Sequence, residues 1–142
     1  MNENTVQQMP LELPPIYLSA SDAEQLKSLV LQTPRGEVRE RLEDELSRAE
    51  ILSTHAFPSD IVKLNSLVRF VDLESGQKKE LALVLPGQAN IREGRISVLA
   101  PVGIALLGLS VGQSISWPMP EGRTRTLKIL EVFAAKRQEH PP

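Results

Sequence analysis

Ile96-Ser-Val-Leu-Ala-Pro-Val-Gly-Ile-Ala-Leu-Leu-Gly-Leu-Ser-Val-Gly112 decides how this chain is read. It opens as a strand, turns a tight corner at Ala100-Pro101, continues as a short apolar helix and stops at glycine. Pro101 suits the first helical position, where its preset φ helps and its missing N–H has no partner to lose. Gly108 suits the place just past the helix end, where a left-handed backbone is wanted. The corner is expected to lift Leu99, Ala100, Pro101, Val102 and Ile104 into an exposed apolar knob. Such a knob points to binding another protein rather than to chemistry. Ile104, Leu106, Leu107 and Leu109 have a second reading, as the face that packs the helix against a sheet.

On both sides of this stretch the pattern alternates with a period of two. Residues 67–73, 80–85, 95–99, 113–117 and 125–133 read as strands. Val68 with Phe70, then Leu81, Leu83 and Leu85, share faces. Ile115 with Trp117, and Leu127 with Ile129, continue the alternation. Glu74-Ser-Gly76-Gln and Pro120-Glu-Gly122-Arg are hairpin turn signals.

The N-terminal third has the other period. Ser21-Asp-Ala-Glu24 fits a capping box, with Ser19 as the alternative cap. A helix follows to Gln32, with Ala23, Leu26 and Val30 spaced as in a coiled-coil seam. Thr33-Pro-Arg-Gly36 breaks it, because Pro34 disfavours helix at Thr33. A second helix is expected from Gly36 to Ser53, its stripe formed by Val38, Leu42, Leu46, Ala49 and Leu52. Glu37 and Arg41, Arg41 and Glu45, and Asp44 and Arg48 stand four apart on its solvated side. So short a connection makes the pair an antiparallel hairpin, roughly 20 Å long.

The expected fold class is α+β: a short antiparallel helical hairpin of coiled-coil type, then an antiparallel β domain with one short helix. Residues 1–15 form a Pro-rich arm, 16–56 the finger, 57–135 the strand-rich domain and 136–142 a polar tail. The boundary falls between His55 and Asp60.

Composition removes several function classes. The chain has 142 residues and a formal net charge of −2. That balance gives no general attraction to nucleic acid, so direct sequence-specific binding is not expected. There are no cysteines, hence no disulfide, no Cys-ligated zinc and no thiol nucleophile. The N-terminus has neither the basic start nor the apolar core of a signal peptide, and no apolar run spans a bilayer. The expected location is the cytoplasm, with no membrane partner.

Catalytic constellations are missing too. His55 and His140 stand far apart without partners in sequence, too little for a triad or a metal site. The glycines read as turn residues. At the hairpin tip, Pro34, Arg35 and Glu37 are the candidate functional group. Glu37 is its lone carboxylate, with Arg35 two residues before it, a poor magnesium site. The reading is therefore a non-enzyme with no cofactor and no metal, whose corner and tip engage a partner.

These parts resemble a known family. Leu67-Val-Arg-Phe-Val-Asp-Leu-Glu-Ser-Gly76, Glu93-Gly-Arg-Ile-Ser-Val98, Ala100-Pro-Val-Gly-Ile-Ala-Leu-Leu-Gly108 and Val111-Gly112 look like the C-terminal domain of the Gre transcript-cleavage factors. The short hairpin makes the chain most similar to their Rnk relatives, the regulators of nucleoside diphosphate kinase. The resemblance covers Tyr17 to Ala134. It implies a coiled-coil finger on an FKBP-like domain, and bacterial RNA polymerase as partner. In that family the C-terminal domain grips the rim of the polymerase secondary channel, and the finger points down it. Ala100-Pro101 holds the place of the family's gripping loop, with alanine where serine is usual. Gre factors carry two acidic tip residues that hold a second magnesium ion for RNA cleavage, and two-metal chemistry needs both. Glu37 alone departs from that pattern. The expectation is a monomeric regulator that binds the channel, competes with Gre factors, does not stimulate cleavage, and bears by family on nucleoside diphosphate kinase levels.

Two other readings compete. An FKBP-like domain raises prolyl isomerase activity, but Trp117, Phe70 and Phe133 are few for its apolar pocket and are expected to be buried. The stripe Val38, Leu42, Leu46 and Leu52 would serve a scaffold or dimerisation module if it paired between chains.

Overall fold

A computed structural model describes residues 15–118 and 124–134. Tyr17–Ser19 forms strand β1 and leads without a break into helix α1, Ala20–Gln32. Ser19 is the N-cap: its hydroxyl oxygen accepts the Asp22 N–H at 3.0 Å. The alternative cap is thus the real one, and Ser21 already lies inside the helix. Ala23, Leu26, Leu29 and Val30 are its buried apolar side chains, and Asp22 is buried with them.

Helix α2 spans Glu37–Arg48 and is shorter than its periodicity predicts. Ala49 is already extended, and Glu50–Leu52 forms strand β2. β2 pairs in parallel with β1, Tyr17 opposite Glu50 and Ser19 opposite Leu52. The Glu50 N–H goes to the Ile16 carbonyl at 3.0 Å instead of continuing the helix. Pairing with a strand 33 residues upstream therefore replaces the last helical turn. Leu42 is fully buried, Leu46 and Ala49 are packed on the core, and Val38 is exposed. The stripe that a dimer would use is spent mostly within the chain.

A 3-10 turn at Thr54–Ala56, carrying the exposed His55, leads to the sheet. Its strands are β3 (Ser66–Asp72), β4 (Lys78–Val84), β5 (Arg95–Ser97), β6 (Ser114–Pro118) and β7 (Thr124–Ala134). The order is β5-β4-β3-β7-β6, with β4 and β5 parallel and the other neighbours antiparallel. Helix α3, Pro101–Leu106, follows β5. Along β3 the alternation is complete: Ser66, Val68, Phe70 and Asp72 point inward. The opposite face carries Arg69, which pairs with Glu80 and Glu131 and lies 5.7 Å from the Phe133 ring centre. Phe133 is 40% exposed, so it is not the buried aromatic that its strand position predicts. The turn at 120–123, the arm at 1–14 and the tail with His140 lie outside the described residues.

One apolar core joins hairpin and sheet. Leu18, Leu26 and Leu42 from the hairpin meet Val62, Leu83, Leu106 and Ile129. No helix among the described residues is long and apolar enough to cross a membrane.

The β3–β4 turn is built on Asp72. Its carboxylate accepts the Glu74 and Ser75 N–H groups at 2.9 and 3.4 Å and pairs with Arg125. Burial pushes this carboxyl up, but the two N–H groups and Arg125 outweigh it and hold the pKa below its usual range. A depressed folded-state pKa contributes stability above the unfolded value of about 3.9, and that contribution is lost as pH falls through the folded value. Asp72→Asn is therefore expected to be less stable than wild type at pH 7, with the gap closing in strong acid. Urea unfolding of both chains from about pH 7 down to pH 2.5 checks this. A gap of constant size would contradict it.

Candidate protein-binding corner

The corner is organised by Ser97. Its carbonyl accepts the Ala100 N–H and its hydroxyl accepts the Leu99 N–H, both at 2.9 Å. Val98, between them, is fully buried and donates to the Val84 carbonyl at 2.7 Å, which pins the turn to β4. Ala100 is extended at φ −68 and ψ 150, as the residue before proline prefers. Pro101 then opens α3, and the Ile104 N–H closes the first turn onto the Ala100 carbonyl at 2.9 Å.

Gly103 is what lets the helix lie against the turn. A Cβ added there would stand 2.2 Å from the Ser97 carbonyl oxygen. Gly103 is thus a close-approach glycine inside a helix, not a turn glycine as the general reading of glycines has it. Gly108 ends the segment at φ +80, and a Cβ there would meet the Ile16 Cβ at 2.7 Å. Its N–H goes to the Val62 carbonyl at 3.1 Å, and its carbonyl takes the Tyr17 N–H at 3.2 Å. The loop after α3 is in this way tied to the foot of the hairpin, and α2 itself touches α3.

Of the five expected corner residues, four share the surface. Pro101 is exposed, Ala100 is half-buried, and Leu99 and Val102 are half-buried with their inner sides on the core. Ile104 is a correction: at 2% exposure it belongs to the core, one helical turn beneath the knob. It joins Ala105, Leu106, Leu107 and Leu109, all buried, in the packing role.

The tip stands at the other end of the hairpin. Thr33 is buried, donates its hydroxyl to the Leu29 carbonyl at 2.7 Å, and accepts Arg39 Nη1 on its own carbonyl at 3.2 Å. These contacts brace Pro34, Arg35 and Glu37, which are all exposed. Gly36 caps α2 at φ +148, without a side-chain hydrogen bond. Leu31 and Val38 are also exposed, at 77% and 45%. Among the described residues no group of three or more His, Asp or Glu is placed to hold a metal ion.

Two acids on the hairpin have pKa values raised by burial. Glu45 lies on the inner side of α2 with Arg48 3.3 Å away; desolvation pushes its pKa up against the opposing charges of Arg48 and Arg41. Asp22 is raised for the same reason, against hydrogen bonds from the Leu64 N–H and Ser19 and the charge of Lys63. For both, ionisation at neutral pH subtracts from stability; the loss sets in as pH rises past the ordinary unfolded-state carboxyl range and is complete above the raised folded value.

The described parts are a mainly antiparallel five-stranded sheet, an apolar corner and a two-helix arm. Residues 57–133 match the family "Transcription elongation factor, GreA/GreB, C-term", and residues 14–52 match the family "Rnk N-terminus". The chain belongs to the GreA/GreB family and carries the Rnk type of N-terminal region. It is 38% identical to the regulator of nucleoside diphosphate kinase of Escherichia coli, over 84% of this chain and 89% of that protein. It is 34% identical to the transcription elongation factor GreA of Mesorhizobium japonicum, over 82% of this chain and 68% of that one. Among solved structures it is similar to the prokaryotic transcription elongation factor GreA/GreB from Nitrosomonas europaea. That likeness has a TM-score of 0.70 and 42% identity, covering 84% of this chain and 98% of the other. These relatives are named as factors and regulators.

Proposed function

We propose that this chain is a non-catalytic regulator of bacterial RNA polymerase that docks through its corner at the rim of the secondary channel. The sheet body, residues 57–135, is an FKBP-like domain and makes the grip. The finger, residues 16–56, is a short coiled coil that points into the channel. The observation that carries this reading is the exposed Pro101, flanked by Leu99, Ala100 and Val102 on a turn held rigid by Ser97 and Gly103. A rigid apolar prominence loses little entropy on docking, the usual character of an interface anchor.

The tip decides what happens after docking. Stimulating RNA cleavage needs a ligand set for a second metal ion, and Glu37 is the sole carboxylate between Thr33 and Val38. The chain therefore occupies the channel, excludes Gre factors and leaves the transcript intact. It acts in the cytoplasm as a monomer, without reading nucleic-acid sequence. Control of nucleoside diphosphate kinase levels, the role in the E. coli relative's name, follows from this action on transcription.

A stalled elongation complex tests this. Adding the chain alone is expected to leave cleavage at the intrinsic rate of polymerase. Adding it in excess to a Gre factor is expected to bring Gre-stimulated cleavage back toward that rate. Cleavage stimulated by this chain alone would overturn the reading.

A further inference from the structure

The hairpin is useful as a pointer only if its bearing on the body is set, and beside the shared apolar core one buried polar side chain spans that joint. Asp22 is the third residue of α1, 7% exposed, and its Oδ2 accepts the Leu64 N–H at 2.9 Å across 42 residues of sequence. An acid at this helical position ordinarily turns back onto its own cap. Here the carboxylate is hydrogen-bonded by the Ser19 hydroxyl and also reaches outward to the sheet body. Leu64 stands in a tight turn whose next residue, Asn65, has φ +71. That turn is closed by the Lys63 N–H to Ser66 Oγ at 2.9 Å, and the Asn65 N–H anchors it to the Leu83 carbonyl at 2.6 Å. The acceptor is fixed equally well, because Ser19 caps the helix through the Asp22 N–H. Both ends of the bond are therefore rigid. The neighbouring bond from the Ser21 N–H to Thr54 Oγ1 at 2.9 Å stays within the foot of the finger and is exposed to water.

We propose that Asp22 is a positioning residue: its bond to Leu64 locks the hairpin at one bearing on the sheet body and so fixes where the tip stands relative to the docking corner. A buried carboxylate is costly unless its bonds are made, so the pair holds best in one relative placement of helix and turn. β1 and β2, three residues each, form a narrow base that resists sliding better than it resists tilting. Asp22 stands one helical turn above that base, where it opposes tilt.

The chain has no cysteine, so two introduced thiols report one distance. Spin labels on Arg35→Cys at the tip and Glu74→Cys on the β3–β4 turn read the bearing of the finger in the free chain. The result is independent of polymerase binding. The unaltered latch is expected to give one narrow distance distribution. Asp22→Ala is expected to broaden it about twofold or add a second distance. Asp22→Asn keeps an oxygen facing Leu64 and is expected to restore the narrow form. An Asp22→Ala distribution as narrow as wild type overturns the proposal, and so does an Asp22→Asn distribution as broad as alanine's. If Asp22→Ala does not fold, amide exchange in the unaltered chain decides. Leu64 protected like Ile129 in the core supports the latch, and Leu64 exchanging like an open loop overturns it.

Discussion

Gly103→Ala is expected to destabilise the fold by about 3 kcal/mol or more, a fall in Tm on the order of 10 °C for a chain of this size. The added methyl would sit 2.2 Å from the Ser97 carbonyl oxygen, with the Ser97 carbonyl carbon and the Val98 Cα both at 3.1 Å. All three are backbone atoms of the turn that makes the corner, so no side-chain rotation relieves the clash. Either α3 lifts off and opens the packing of Ile104 and Leu106, or the Ser97–Ala100 turn breaks. Gly87→Ala is the control. Nothing stands within 4 Å of a Cβ there, and the change is expected to stay within about 1 kcal/mol. Calorimetry on the two variants checks both values. Equal melting temperatures would show that α3 does not lie on the turn as described.

Pro101→Asp is expected to weaken binding to core RNA polymerase by at least about tenfold, or 1.4 kcal/mol, with Tm held within about 3 °C. Pro101 is exposed, so its loss removes little from the core. An acid in the first turn of a helix is also electrostatically favoured, so α3 keeps its start. The damage falls on the partner, which must desolvate a carboxylate where it met an apolar ring. This substitution separates docking from folding better than a charge at Val102, whose inner side lies on the core. Surface-immobilised polymerase with each chain in solution measures it, and unchanged affinity would move the docking surface elsewhere.

The sheet was readable because its residues state their own environment. Val68 with Phe70 and Leu127 with Ile129 flank the polar Arg69 and Lys128, Leu81 and Leu83 keep the same period of two, and all six are buried. Pro101 and Gly108 bracket α3 by backbone chemistry alone, and the structure keeps both in those places. The features that escaped depend on distance between remote segments. β1 and β2 are too short to show a period, and they exist through each other. The end of α2 was hidden because Leu46, Ala49 and Leu52 keep helical spacing past Arg48 with no glycine or proline to stop it. Gly103 offered a clue, since glycine inside an apolar helix costs stability and hints at a close approach. The atom it approaches, on Ser97, cannot be found from spacing. Asp22 lies inside the Ser21-to-Glu24 capping signal, which says nothing of its own bond, and its reach to Leu64 is a matter of tertiary placement. Ile104 shows the limit at the corner, where five consecutive-looking apolar residues divide between surface and core by helical phase.

Docking without cleavage is tested most directly by displacement from polymerase. Core RNA polymerase carrying a fluorescent Gre factor is titrated with this chain while anisotropy is followed. Saturable release of the labelled factor to a one-to-one endpoint is expected, with Pro101→Asp shifted to at least about tenfold higher concentration. A Gre factor that stays bound under saturating excess of this chain would contradict it.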